Sequence, residues 1–330
     1  MRYVTAIIAT AALCAGIWFA LYDKVMVPGP EAEWVWRMYE AKSDAARAID
    51  GPMLLVVGGS GAHFGIDTNM IEERLGLPSV NFGSHGGLGI DYYLYRARKV
   101  LSAGDTVLMA IEYELFDQLD FPTDLLREVI YFHDSDYVLR QPVWAWPQFY
   151  FALTPNELIT RVTAAVRTDQ PLIFGRFRLS ADSLDQRGNE TVNKASIVDS
   201  FLHEVVLADP PVRVFQEPKA EIVQSVAAFV DWCRQHQVEV VATWPNVLRR
   251  PAYSEPPYPA FFTEFQRLYA ALGVPMVGRP EDAMLDLDDM FDTAYHPNDL
   301  GRAVRTARLV DSLCAFHPCP WDADNPERVQ

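Results

Sequence analysis

The amino-acid sequence predicts an α/β chain built on a parallel sheet, and three observations carry that expectation. Short apolar runs alternate with helix-like stretches along much of the chain. The first of these runs, Leu54-Leu55-Val56-Val57, stops abruptly at glycines. Half of the 330 residues are hydrophobic, which is ample material for one large core. Strands buried on both faces read as continuous apolar runs, and parallel strands need helical crossovers, so the alternation implies a parallel sheet.

Each element follows in order. Residues 3–22 are almost wholly apolar, preceded by Arg2 and closed by Asp23 and Lys24; a run of about 20 such residues can cross a bilayer. Trp18, Phe19 and Tyr22 sit where an interfacial aromatic belt would lie. Segment 1–24 therefore reads as an uncleaved anchor, with a cleaved secretory signal as the alternative. Cys14 has Ala11, not leucine, three positions before it, which argues against a lipid-attachment site. On either reading the remainder is exported. After a Trp- and Glu-rich stretch (31–50), strands are expected at 53–57, 79–82, 106–111, 238–243 and 274–277. Helices are expected at 68–75, 90–102, 220–236, 261–272 and 298–313. Residues 116–217 break this rhythm with Trp144, Trp146, Phe149, Tyr150 and Phe151, with prolines, and with the polar run Asp185-Gln186-Arg187-Gly188-Asn189-Glu190. They read as an insertion in a single domain spanning 25–330. Such an insertion serves as a lid or substrate-facing wall, or packs a small core of its own.

The net charge of −16 disfavours nucleic acid, which rewards clustered Lys and Arg; solubility alone accounts for the acidity. Of the four cysteines, Cys14 lies in the N-terminal segment, Cys233 in an expected amphipathic helix, and Cys314 and Cys319 close a short loop that suits a disulfide in an exported protein. No CxxC pair is present and only His317 lies near that loop, so no zinc site is expected, and no organic cofactor is needed.

The chemistry-bearing residues fall in three blocks. Gly58-Gly59-Ser60-Gly61 follows the first strand, and glycines there let a serine hydroxyl and backbone N–H face a ligand at the strand's carboxyl end; an ordinary strand-to-helix turn is the plainer reading. Near the other end, Met290-Phe291-Asp292-Thr293-Ala294-Tyr295-His296-Pro297-Asn298-Asp299-Leu300-Gly301 sets an acid and a histidine just before a helix. A serine hydroxyl becomes a nucleophile when a histidine takes its proton, and a carboxylate on the other ring nitrogen fixes the tautomer. Ser60, Asp292 and His296 are thus candidates for a catalytic triad. Asp288 and Asp289 are nearby rivals for the acid, and Asn298 or Asp299 can simply cap the last helix. The third block, Asn81-Phe82-Gly83-Ser84-His85-Gly86-Gly87-Leu88-Gly89, holds four glycines in seven residues from Gly83 onward. Such a loop exposes backbone N–H groups suited to an oxyanion hole. His85 is a second candidate base.

With these blocks the chain resembles the SGNH (GDSL-like) hydrolase superfamily, over about residues 52–112 and 218–314. In that resemblance Ser60 maps to the nucleophile, Gly83 to the glycine donor, and Asp292 with His296 to the terminal block, while Asn81 and His85 join the oxyanion and substrate-binding set. The implied fold is a three-layer α/β/α, flavodoxin-like parallel sheet with a large insertion. Departures are visible: Gly58-Gly59-Ser60 stands for the usual Gly-Asp-Ser, and Ala110-Ile111-Glu112-Tyr113-Glu114 carries no asparagine after the third strand. The acid also stands four residues before the histidine, where three is more usual. These look like the membrane-anchored branch that works beside membrane-bound O-acyltransferases, which includes alginate O-acetylation proteins and the teichoic-acid D-alanylation protein. That likeness implies an inner-membrane, single-pass protein with a periplasmic or extracytoplasmic domain. Its expected activity is serine-dependent O-acyl transfer, usually of acetyl, to a polysaccharide hydroxyl, with a membrane-bound O-acyltransferase as donor partner. A polysaccharide esterase or deacetylase with the same catalytic parts, and a catalytically silent scaffold that binds polysaccharide in an export complex, remain as alternatives.

Overall fold

The computed structural model describes residues 2–25, 28–117, 122–150 and 179–316. They fall into two compact units, Met1–Trp36 with Asp124–Arg178, and Arg37–Thr123 with Leu179–Gln330. In chain order the helices and strands begin with α1 (Arg2–Val25) and α2 (Pro30–Arg47), then β1 (Leu54–Val57), α3 (Ser60–Gly65), α4 (Thr68–Leu75), β2 (Ser79–Asn81), α5 (Gly89–Arg98) and β3 (Thr106–Met109). There follow α6 (Asp124–Phe132), α7 (Asp136–Arg140), α8 (Trp146–Tyr150), α9 (Ser200–Ala208) and α10 (Ala220–Gln235). The chain continues with β4 (Glu239–Thr243), β5 (Val247–Leu248), α11 (Tyr258–Ala271), β6 (Met276–Val277), β7 (Met284–Leu285) and α12 (Asp299–Phe316).

The larger unit is mixed α/β around a five-stranded parallel sheet of order β2-β1-β3-β4-β6. The register pairs Leu55 with Val80, Val57 with Met109, and Leu108 with Val241. One face of the sheet presents Leu54, Val56, Leu108, Ala110, Val241 and Val277 to Ile71 of α4 and to Leu309, Val310 and Leu313 of α12. On β1, residues Leu55, Val56 and Val57 are fully buried, and each such side chain contributes about 1.5–3 kcal/mol. Helices α5 and α10 pack on each other and against β1 and β4. From β1 the chain runs outward to β2 and then returns across the sheet to β3, so connections leave the carboxyl ends of the neighbouring strands β1 and β3 in opposite directions. That reversal opens a crevice, the usual ligand position in open α/β sheets. Helix α4 shows why boundaries fall where they do: Asp67 accepts the N–H groups of Asn69 and Met70 at its start, and Gly76 at φ 65 closes it. A second, two-stranded parallel sheet pairs β5 with β7.

Within the smaller unit, Glu33 pairs with His133 at 3.1 Å and Trp36 stacks on that imidazole. Phe149 is buried against Tyr137, Trp146 donates to the Gln141 carbonyl, and Trp144 is exposed. Helix α1 exposes Tyr3, Val4, Ile7, Ile8, Leu13 and Ile17. Among the described residues no helix is long and apolar enough to cross a membrane; the side chains of 18–25 lie outside them. Segment 116–217, expected as one insertion, is divided between the two units, and Phe151 is outside the described residues. Cys314 is disulfide-bonded while Cys14 and Cys233 are free thiols; its expected partner Cys319 lies outside the described residues.

Candidate active site

The serine turn forms where β1 meets the carboxyl end of β3. A side chain on Gly58 would come within 2.4 Å of the Ala110 carbonyl, so only glycine fits there. Ser60 opens α3 and is half-buried. The N–H groups on either side of it, those of Gly59 and Gly61, donate to the two carboxylate oxygens of buried Glu112 at 3.0 and 2.6 Å. Burial pushes the Glu112 carboxyl up from its ordinary range, while these backbone bonds and nearby His296 pull it back. Among the described residues the Ser60 hydroxyl makes no hydrogen bond, an arrangement often seen before substrate tightens a site.

The histidine block is a closed turn. The Phe291 N–H donates to the His296 carbonyl at 2.7 Å, and a bridge joins Met290 to Pro297. That closure brings the Asp292 carboxylate to 2.8 Å from His296 Nδ1. With Nδ1 engaged, Nε2 is the nitrogen left to act as a base. The rival acids are placed elsewhere: Asp288 is 96% exposed and faces His203, and the Asp289 carbonyl accepts the Asn298 N–H. Asn298 is indeed the cap of α12, accepting from Leu300 and Gly301. The His296 ring lies 4.5 Å from the ring of Phe64 on α3, so the turn packs directly on the helix that Ser60 begins. Tyr295 donates its hydroxyl to Glu114. The Glu112-Tyr113-Glu114 segment after β3 therefore grips both halves of the candidate triad.

The glycine loop is arranged differently from the expectation. The Gly83 N–H donates to Asn81 Oδ1 at 3.0 Å, and the fully buried Asn81 amide donates to the carbonyls of Ala62, His63 and Ile66. A side chain on Gly83 would lie 2.5 Å from the His63 nitrogen. Gly83 and Asn81 therefore spend their polar groups binding the loop to α3 instead of offering donors to a ligand. His85 Nδ1 accepts the Gly87 N–H at 3.1 Å. Burial, aided by His296, pushes this imidazole down to about 4, which leaves it neutral with its proton on Nε2.

Three residues that sequence reasoning missed lie beneath the site. Lys42 Nζ donates to the Gly83 carbonyl at 2.6 Å and is 2.9 Å from His63 Nδ1; His63 Nε2 is 3.2 Å from Glu190 Oε2. All three are essentially without solvent contact. Burial pushes Lys42 down to about 7 against the pull of Glu190 and Asp185, and it pushes His63 down to about 4 with Lys42 adding to the shift. Burial raises Glu190, but bonds from His63, Ser183 and Val192 outweigh it and hold the carboxyl below its usual range. The consistent protonation is Lys42⁺ donating to Nδ1 of a neutral His63 whose Nε2–H donates to Glu190⁻. The polar run 185–190 was the visible signal for this cluster. It is a tight turn on the sheet edge: Asn81 donates its N–H to the Arg187 carbonyl, and Gly188 at φ 78 has the Asn81 carbonyl 2.7 Å from where a Cβ would stand.

Among the described residues no cluster of three His, Cys, Asp or Glu side chains can hold a metal ion. Comparison of the chain with protein-family models and with curated proteins finds no match.

Proposed function

We propose that the chain is a serine-dependent acyl-transfer enzyme of SGNH-like, flavodoxin-like architecture, in which Ser60 is the nucleophile, His296 the base and then acid, and Asp292 its orienting carboxylate. The observation that carries this reading is the Asp292–His296 hydrogen bond on a turn packed against the Ser60 helix, at the point where strand order reverses. In the first half-reaction the Ser60 Oγ attacks an ester carbonyl as His296 Nε2 takes its proton, and the same proton then passes to the departing alkoxide. In the second half-reaction a sugar hydroxyl or water attacks the acyl-Ser60, giving transfer or hydrolysis. Because Gly59 and Gly61 already donate to Glu112, developing negative charge falls to the N–H of Ser60 itself.

The wider setting we propose is an inner-membrane tether with the catalytic unit in the periplasm, acting on a cell-envelope or secreted polysaccharide and receiving acetyl from a membrane-bound O-acyltransferase. The exposed apolar side chains of α1 and the bonded Cys314 support an exported, membrane-associated chain. A second reading, a silent polysaccharide-binding scaffold, draws on the unbonded Ser60 hydroxyl and the carboxylate beneath it. Incubation with a fluorophosphonate, followed by peptide mass spectrometry, separates the two: Ser60 modification that depends on His296 supports the enzyme, and a folded but unlabelled protein supports the scaffold. Supplying an activated acetyl ester with a bare or pre-acetylated oligosaccharide then decides direction. Acetyl gained by the bare sugar marks a transferase, and acetyl lost from the other marks an esterase.

A further inference from the structure

His296 is held on both sides by asparagine amides that belong to neither catalytic segment. Asn193, from the stretch before α9, donates its Nδ2 to the Pro297 carbonyl at 2.8 Å and to the Phe64 carbonyl at 3.3 Å. Asn246, from the connection between β4 and β5, donates to the Tyr295 carbonyl. The two carbonyls that flank His296 in sequence are thus each pinned by a buried amide, with Asn193 fully buried and Asn246 nearly so. Both amides also reach α3: Asn193 through the Phe64 carbonyl, and Asn246 by lying so close to Gly65 that a Cβ there would stand 2.3 Å from its Oδ1. Asn193 Oδ1 is buried with no partner. Burying an unpaired amide oxygen is costly, and both of its donors go to the two segments whose separation matters.

We propose that Asn193 and Asn246 are positioning residues that clamp the His296 turn onto α3 and so set the reach of Nε2 to Ser60. This rests on the acyl-transfer reading above. The Asp292–His296 bond is closed within its own turn, so loss of the clamp displaces the pair as a body without breaking it. A misplacement of order 1 Å costs up to about 100-fold in rate.

The test uses the full chain, a fluorophosphonate for the rate of Ser60 modification, and p-nitrophenyl acetate for the split between kcat and KM. Asn193→Ala and Asn246→Ala should each slow Ser60 modification by roughly 10- to 100-fold and lower kcat with KM nearly unchanged. In a His296→Ala background the same substitutions should cost nothing further, since the clamp acts through that histidine. The low-field proton resonance of the His296–Asp292 bond should persist. Gly65→Ala provides a second route should an asparagine variant not fold: its added methyl displaces Asn246 with every catalytic side chain retained, and it should show the same kcat loss. Wild-type modification rates in folded variants overturn the clamp while leaving the acyl-transfer reading intact, and so does an equal loss in the His296→Ala background. Absence of Ser60 modification in the wild-type protein overturns both.

Discussion

Two of the histidine–carboxylate pairs in the larger unit, His296–Asp292 and His63–Glu190, differ in almost every physical respect. His296 and Asp292 are four residues apart, joined at 2.8 Å on one turn, with 15% and 24% of their side chains exposed. His63 and Glu190 are 127 residues apart, joined at 3.2 Å, and almost wholly enclosed, with Lys42 closing the far side. A pair that keeps part of its surface in solvent leaves one ring nitrogen open to reactants. An enclosed pair has both nitrogens committed and pays heavily for any change of charge. The contrast suits the first pair to the proton transfer proposed above, while the second joins α3, the glycine loop and the 185–190 turn.

The comparison breaks most readily on activity. Ser60→Ala and His296→Ala should each reduce p-nitrophenyl acetate turnover by on the order of 10⁴-fold or more, and the double variant should be little worse, because triad members act as a unit. Losses that multiply would mean that the two residues belong to separate sites. Next in size, Glu190→Ala leaves Lys42 uncompensated in the interior and should destabilise the fold by about 3–5 kcal/mol in urea melts. The pairwise replacement Lys42→Met with Glu190→Gln should restore much of that. If Glu190→Ala melts like the wild type, the enclosed pair is not the joint described here.

Asp292→Asn should have the reverse profile. We expect a turnover loss of roughly 10²- to 10³-fold from the wrong histidine tautomer, smaller than at a fully buried triad because water reaches this pair. Its urea midpoint should hardly move, and Asp288→Asn and Asp289→Asn should keep full turnover.

The smallest expected effect is on acid stability. The His63 pKa is lowered in the folded state, from 6.5 to about 4. Between those values the unfolded chain binds a proton that the folded chain refuses, so stability falls as pH drops through that window, by on the order of 3 kcal/mol in total. Glu190, held below its ordinary value, adds to the loss at still lower pH. Lys42, lowered to about 7, acts at the other end: stability gains as pH rises from about 7 toward 10.5. Urea midpoints measured from pH 7 to 4 should fall for the wild type and flatten for His63→Gln; an equal slope in the variant removes His63 as the cause.

Most of the sheet was legible because its strands are buried along most or all of their length and so had to be largely unbroken apolar runs. The expected 53–57, 79–82, 106–111 and 238–243 correspond to β1, β2, β3 and β4 within a residue or two. The two-residue strands β5 and β7 carry no such signature, since they pair only because the surrounding turns bring them together. Helix α2 was missed although its cues are present: Pro30 at the first position and Glu31 and Glu33 in the first turn. Within the site, the Asp292–His296 bond was legible because a turn of six residues makes it. The oxyanion role expected of Gly83 and Asn81 came from the glycine-rich loop and the family resemblance, and neither says which backbone N–H groups another side chain already occupies.

By itself, then, the sequence determined the strands and crossover helices, the serine after β1 and the local acid–histidine turn, because each depends on residues within a few positions of one another. Only the tertiary structure decided that Glu112 fills the N–H groups around Ser60, that Lys42, His63 and Glu190 form one enclosed chain, and that Asn193 and Asn246 pin the His296 turn. Those contacts join segments about 20 to 130 positions apart. Each partner there is an ordinary polar residue until chain folding removes water and leaves one neighbour to satisfy it.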